Sequence, residues 1–388
     1  MSVFNSLVDQ DETVVILKAA IIAARDGEDE SQDMTHAWLF TGPPGSGRSN
    51  TAMAFAAALL CKNSGCNECV DCVTALRGTH ADVELIKTEG LSIKIDEVRE
   101  LITRASWTPA VAQYRVVIIE DADRLTESAA NALLKAIEEP GLRTVWLLCA
   151  PTLTDVLPTI RSRTRNLILR TPSVAAVTKL LVAESIPEQI AEFSARASQG
   201  HIGRARFLAK NPDARTRRTD ILKLPLTITD ISSAFKCAGL LVDAAKNEAE
   251  ADAEKRNESE TTALREAWGQ QGSRVIQGGA KAIKELERDQ KSRQTRMVRD
   301  YLDRALLDIA TFYRDTLMVQ CGSESSDRSE SGEVLINGDM EREIQIVARA
   351  TSAVNTLGKL EAIMRTRSNL AKNAAPLLAV EAMMVQLR

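Results

Sequence analysis

The chain has 388 residues, 44% hydrophobic and only 4% aromatic, with 49 Lys and Arg against 53 Asp and Glu and a formal net charge of −4. That length exceeds one ordinary core and implies two or three domains, and the apolar fraction excludes wholesale disorder. The acidic balance excludes a polycation built to coat nucleic acid, and no stretch reaches the about 18 uncharged apolar residues of a membrane span. Met1 to Glu12 lacks the basic-then-apolar design of a signal peptide, so a soluble cytoplasmic protein is expected.

The first 170 residues alternate between helical and strand-like segments. Gln10 to Ala24 is amphipathic, and His36 to Thr41 is a short apolar run ending at a glycine-rich turn. Asn50 to Leu60 is alanine-rich and predicts a helix, Val83 to Ile86 a strand and Ile95 to Ala105 a helix. Tyr114 to Ile119 ends in a β-branched, fully apolar run, the mark of a buried parallel strand. Thr126 can cap a helix running to Glu138, with Pro140 just past its end. Val145 to Cys149 and Leu167 to Leu169 complete the alternation, which implies a doubly wound parallel sheet over 1–172.

From Ser173 the strands stop. Ser173 to Ala183, Pro187 to Ala197 and Ile202 to Leu208 predict three short helices forming a small lid domain over 173–211, followed by a basic linker, Arg215 to Arg218. The remainder, 219–388, is helical. Leu302, Leu306, Ile309, Tyr313 and Leu317 share one helix face, and Ile344, Val347, Thr351 and Val354 continue the theme, with a last segment from Pro376 to Leu387. The segment 247–296 is densely charged and predicts a solvated helical pair broken near Gly278 and Gly279, and 321–339 is Ser-, Gly- and Glu-rich and reads as a mobile loop.

Four motifs carry chemistry. Gly42, Pro43, Pro44, Gly45, Ser46, Gly47, Arg48 and Ser49 lie between a strand and a helix, the setting of a phosphate loop as opposed to an ordinary glycine-rich turn. Its backbone N–H groups and helix N-terminus would hold nucleotide phosphates, with Ser49 on Mg²⁺. Arg48 stands where the motif has lysine, and a planar guanidinium does not replace a compact ammonium, so ATP or ADP binding is expected with poor hydrolysis. Glu120 and Asp121 end an apolar strand, where a P-loop protein holds its metal and attacking water, but in the reverse of the expected Asp–Glu order. Cys61, Cys66, Cys69 and Cys72 crowd into twelve residues and suit a closed, structural Zn²⁺ site; an iron–sulfur cluster or simply buried thiols are the alternatives. Finally, Arg161 and Arg163 flank Ser162 in a short run where an arginine exposed at a subunit edge would act in trans; on these residues alone a plain surface arginine is the favoured alternative.

Together these residues resemble the bacterial clamp-loader family of AAA+ proteins, and within it the delta-prime type of DNA polymerase III. The resemblance is carried by HAWLFTGPPGSGRS, by the cysteine cluster interrupting the helix after the phosphate loop, by RGTHADVELI, by VVIIEDADRLTESAANALLKAIEEP and by TIRSRT. It covers 1–210 well; beyond that the chain matches only as a helical collar. It implies an AAA+ sheet domain over 1–172 with an inserted zinc module at 61–72, a helical lid over 173–211 and an oligomerising collar over 219–388. It implies a place in a hetero-pentameric ring with tau/gamma-type and delta-type subunits that loads the sliding clamp on primed DNA. Such members look like stators with little ATPase activity, and their Ser-Arg-Cys motif gives an arginine finger to a neighbour; here that motif is Ser162-Arg163-Thr164, and the role passes to Arg163. Arg204, one residue out of register, resembles a nucleotide-sensing lid arginine, with a surface arginine at a helix start as the alternative. The cysteine spacing is shorter between its first two members than in the family. The competing readings are an active tau/gamma-type ATPase motor, against which Arg48 and the inverted acids stand, and a free-standing zinc-stapled nucleotide-binding adaptor.

Overall fold

The structure is a computed structural model describing residues 2–26, 33–88, 90–267, 279–322 and 335–388. It divides into two compact units, Met1–Lys210 and Asn211–Arg388.

The first unit is built on five parallel strands: β1 (Ala37–Thr41), β2 (Val83–Ile86), β3 (Arg115–Ile119), β4 (Thr144–Ala150) and β5 (Arg165–Ile168). Their order is β2-β3-β4-β1-β5. The period-2 alternation of a strand sends successive side chains to opposite faces. Trp38 and Phe40, Val116 and Ile118, and Val145, Leu147 and Cys149 fill one core. There they meet α1 (Asp11–Asp26), α2 (Arg48–Leu60) and α3 (Val70–Leu76). Leu39, Val117, Ile119, Trp146 and Leu148 fill the other. That side is covered by α4 (Ile95–Ala105), α5 (Glu127–Glu138) and the short α6 (Pro158–Arg161). Both faces are buried, which is why β1, β3 and β4 read as continuous apolar runs. The doubly wound parallel α/β sheet expected from the sequence is therefore present, between two helical layers.

Helix ends follow local chemistry. Thr126 accepts from the Ala129 N–H at 3.3 Å and starts α5. Ser173 does the same for α7 (Val174–Ala183), accepting from Ala176. With α8 (Glu188–Ser198) and α9 (Ile202–Lys210), α7 forms a three-helix module with its own small core of Val177, Leu181, Ala191, Ala195 and Ala205.

The second unit is all helical: α10 (Pro212–Lys223), α11 (Ile231–Ala267), α12 (Gly279–Gly322), α13 (Glu341–Ala350), α14 (Ala353–Ala371) and α15 (Pro376–Gln386). Leu302, Leu306, Ile309 and Tyr313 are buried on one face of α12, as their spacing requires. Two readings need revision. The basic linker is part of α10: Pro212 opens the helix, and Ala214, Arg218 and Leu222 turn inward at helical spacing. Arg218 is 2% exposed; its Nε donates to Asp308 at 2.9 Å and its Nη2 to the Asn337 side-chain oxygen at 2.5 Å. Asn337 in turn donates from Nδ2 to Asp315 at 2.9 Å, so one buried polar network joins α10, α12 and the turn before α13. The stripe from Ile344 to Val354 is not one face of one helix. Ser352 caps a new helix through the Asn355 N–H, and Val354 is left 78% exposed.

The charged segment forms the distal parts of α11 and α12, tied by Arg293 to Glu260 and Gln290 to the Asn257 carbonyl. The break expected at Gly278 and the greater part of the loop expected over 321–339 lie outside the described residues. At the margins of that loop, Cys321 and Gly322 close α12, and Gly338–Met340 is a single 3-10 turn. Among the described residues, no helix is long and apolar enough to cross a membrane.

Candidate nucleotide site, cysteine centre and exposed arginine

The phosphate-loop residues lie at the carboxyl end of β1. Gly45 and Gly47 adopt left-handed φ of +90° and +91°, conformations that strain any residue with a Cβ. At Gly45 space also demands glycine, because a Cβ would come within 2.5 Å of the His201 Cα at the start of α9. At Gly47, by contrast, a Cβ would meet nothing within 4 Å: the surface before the α2 N-terminus is open. Ser46 is 2% exposed and its Oγ has no hydrogen-bond partner, nor does the buried Arg48 Nη1. An open cradle at a helix N-terminus, lined with unsatisfied donors, fits the phosphates of a nucleotide.

Strand pairing brings the acids alongside. β4 lies between β1 and β3, with Phe40 opposite Cys149 and Ile119 opposite Leu148. Glu120 and Asp121 follow directly from β3. Burial pushes the Asp123 carboxyl above its ordinary range, with Asp121 adding to the effect and Arg124 and Arg48 opposing it. Burial also pushes the Cys149 thiol up, opposed by Arg48 and reinforced by Glu120 and Asp121. Arg48 thus acts on Asp123, and Arg48, Glu120 and Asp121 all act on Cys149, which puts the phosphate-loop arginine and the acid pair around the same end of β4.

One member of this site was missed in the sequence. Lys87 Nζ sits 3.4 Å from Glu120 Oε2. The signal was present: β2 and β3 pair with Ile86 opposite Ile119, so the residues that follow, of opposite charge, leave the sheet as neighbours. Glu120, expected from the sequence to sit in the metal position, therefore has a cation beside it.

Arg204 lies in the first turn of α9, its N–H donating to the His201 ring at 3.2 Å. His201 thus opens the helix and also abuts Gly45, which brings the start of the three-helix module up to the phosphate loop.

Cys61, Cys66, Cys69 and Cys72 converge, all four sulfurs lying within 4.8 Å of one another. Cys61 is 3.6 Å from both Cys66 and Cys69. Tetrahedral Zn–S bonds of about 2.3 Å place sulfurs about 3.8 Å apart, so the cluster fits a metal. The backbone is arranged for thiolates. The N–H groups of Asn63 and Cys66 point at Cys61 Sγ at 3.3 and 3.5 Å, that of Cys69 at Cys66 Sγ and that of Cys72 at Cys69 Sγ. Burial would raise the Cys61 thiol, but these N–H groups outweigh it and hold it at about 6. Arg25 donates to the Cys61 and Lys62 carbonyls, bracing the loop from α1.

Arg163 follows α6 and is separate from these groups along the fold, on the turn into edge strand β5. Its side chain is 40% exposed. Nε donates to Glu138 Oε1 at 2.5 Å, and Nη1 to the Thr159 carbonyl at 3.0 Å and to Ser162 Oγ at 3.3 Å. Thr164, where the related motif has cysteine, is buried and bonds the Arg161 carbonyl.

Residues 19–173 match the family model described as DNA polymerase III, delta subunit. The delta' subunit of DNA polymerase III from Bacillus subtilis is 30% identical over 198 residues, 50% of this chain and 60% of that protein. The delta' subunit from Pseudomonas aeruginosa is 37% identical over 163 residues, 40% of this chain and 49% of that one. The gamma/tau subunit from Mycobacterium tuberculosis is 32% identical over 168 residues, 42% of this chain and 28% of that protein. The matched region thus spans three-fifths or less of each of these relatives.

Proposed function

Taking the chain as a member of the DNA polymerase III clamp-loader group, of the delta-prime type over its matched region, we propose that it is the stator-type subunit of a clamp loader. It takes its place beside tau/gamma-type and delta-type subunits in a five-membered ring that loads the sliding clamp on primed DNA. In this reading 1–172 is the nucleotide-binding domain, 173–211 its lid and 219–388 the collar through which the ring assembles.

The observation that carries the reading is the separation of two features. The phosphate loop has the shape for nucleotide but carries Arg48 and an acid already paired with Lys87, whereas Arg163 stands exposed at the far end of α6. The first is poor equipment for hydrolysis in cis. The second is suited to stabilising charge on a phosphoryl group held by a neighbour, as arginine fingers do. Gly42, Pro43, Pro44, Gly45, Ser46, Gly47, Arg48 and Ser49 would bind ATP or ADP, with Arg204 approaching from the lid. Mg²⁺ would find Ser49 and Asp121 but would have to displace Lys87 from Glu120. The four cysteines would hold one Zn²⁺ in a closed structural site, since all four positions are filled by protein sulfur.

The gamma/tau relative, 32% identical, favours a second reading, an ATPase motor. One experiment separates them. The chain is purified and its ATP turnover measured alone, then in a loader reconstituted with partner subunits, clamp and primed DNA. A stator turns over far below the about 1–100 s⁻¹ usual for phosphoryl-transfer enzymes when alone, and Arg163→Ala lowers turnover in the assembled loader. Turnover within that range by the isolated chain establishes the motor reading instead.

A further inference from the structure

We infer that Glu138 is the positioning residue for Arg163, an inference that rests on the trans-acting role proposed above. An exposed arginine ordinarily samples many rotamers, and ordering it costs about 2 kcal/mol of side-chain entropy. Arg163 does not start from that condition. Glu138 Oε1 takes its Nε at 2.5 Å, while the Thr159 carbonyl and Ser162 Oγ take Nη1. Nε and Nη1 are thereby fixed to the protein from two sides, while Nη2 makes no hydrogen bond among the described residues.

The anchoring group is well placed to hold it. Glu138 is the last residue of α5, a helix fixed in the sheet core by Ala130, Leu133 and Ile137. Arg163 follows α6, and α6 is fixed by Ile160, which belongs to the same core. The ion pair therefore joins the ends of two anchored helices and aims the guanidinium by rigid elements. Both partners are about 40% exposed, so the pair adds little stability of its own; its effect is on direction. Holding a reacting group in its productive orientation before the substrate arrives is a large source of rate.

The test uses the reconstituted loader, with ring assembly followed by size-exclusion chromatography and DNA-stimulated ATPase resolved into kcat and KM. Glu138→Ala should lose at least half of the kcat that Arg163→Ala loses, with KM within about twofold and assembly intact. Glu138→Gln keeps an oxygen acceptor for Nε and should recover most of that loss. The double variant Glu138→Ala/Arg163→Ala should equal Arg163→Ala alone, because Glu138 acts only through the arginine. Wild-type kcat in Glu138→Ala beside a clear loss in Arg163→Ala overturns the positioning role and leaves the finger standing. A Glu138→Ala loss that persists in full on top of Arg163→Ala also overturns it. No loss in Arg163→Ala removes the finger itself, and the positioning role with it.

Discussion

Asp82 offers the most direct test of the energetics of the sheet unit. It precedes β2, its side chain is fully buried, and its carboxylate accepts the N–H groups of Ala110, Val111 and Ala112 at 2.5, 2.8 and 2.8 Å, with Arg115 at 3.8 Å. A hydrogen bond to a charged group contributes about 1.5–3 kcal/mol net. Ala110 and Val111 lie at the surface, so water replaces two of the three bonds once Asp82 is gone. The Ala112 bond and part of the Arg115 pairing are lost without replacement, and Asp82→Ala should cost about 3 kcal/mol. For a unit of this size each kcal/mol shifts Tm by about 2–4 °C, giving a fall of about 6–12 °C. The pH dependence has a definite sign. Burial alone would raise the Asp82 carboxyl, but the three N–H groups outweigh it, with His80 adding to them, and its pKa lies below the ordinary 3.8. A depressed carboxylate contributes stability that is complete above the unfolded pKa and is lost as pH falls through the folded one. Differential scanning fluorimetry between pH 7 and pH 3 should therefore show wild type and Asp82→Ala converging below about pH 4. A Tm change under about 2 °C at pH 7, or a gap that widens on acidification, would refute the reasoning.

Three further outcomes follow from other parts of the chain. The purified protein should carry one zinc per chain by elemental analysis, and Cys61→Ser should release it and lower Tm without a direct effect on nucleotide chemistry, since the site is closed. Gly45→Ala should lose stability by at least the about 1–2 kcal/mol of a left-handed backbone, with a further cost from the 2.5 Å approach to His201; Gly47→Ala, open in front, should lose only the first part by urea titration. Arg218→Met should cost about 3–5 kcal/mol in chemical denaturation of the helical unit, because the buried Asp308 carboxylate loses the guanidinium that faces it, and Arg218→Met/Asp308→Leu should recover part of it.

The sheet was legible because its physics is local. β1, β3 and β4 are buried on both faces, so their composition alone marks them, and Thr126 and Ser173 announce helices with their own side chains. The convergence of the four cysteines was equally plain, since they lie within twelve residues of one another. What escaped was set by register or by distant partners. Lys87 meets Glu120 only because β2 and β3 end together. Glu138 meets Arg163 across 25 residues. Arg218 read as linker charge because its partners, Asp308 and Asn337, are about a hundred residues away, although Ala214 and Leu222, four residues to either side, mark the inward face of a helix. Val354 failed for the opposite reason: its spacing from Ile344 and Val347 was sound, but Ser352 starts a new helix and resets the phase.

Helix α2 begins at the phosphate loop and ends against Cys61, its thirteen residues spanning about 20 Å, with nine of them buried. A beam held at both ends neither slides along its axis nor turns about it. A change of shape at the loop then falls first on its neighbour at the start of α9, His201, which lies against Gly45. If the four cysteines hold a metal, its loss would loosen the end of α2 at Cys61, and the helix would carry that change to the phosphate-loop residues about 20 Å away.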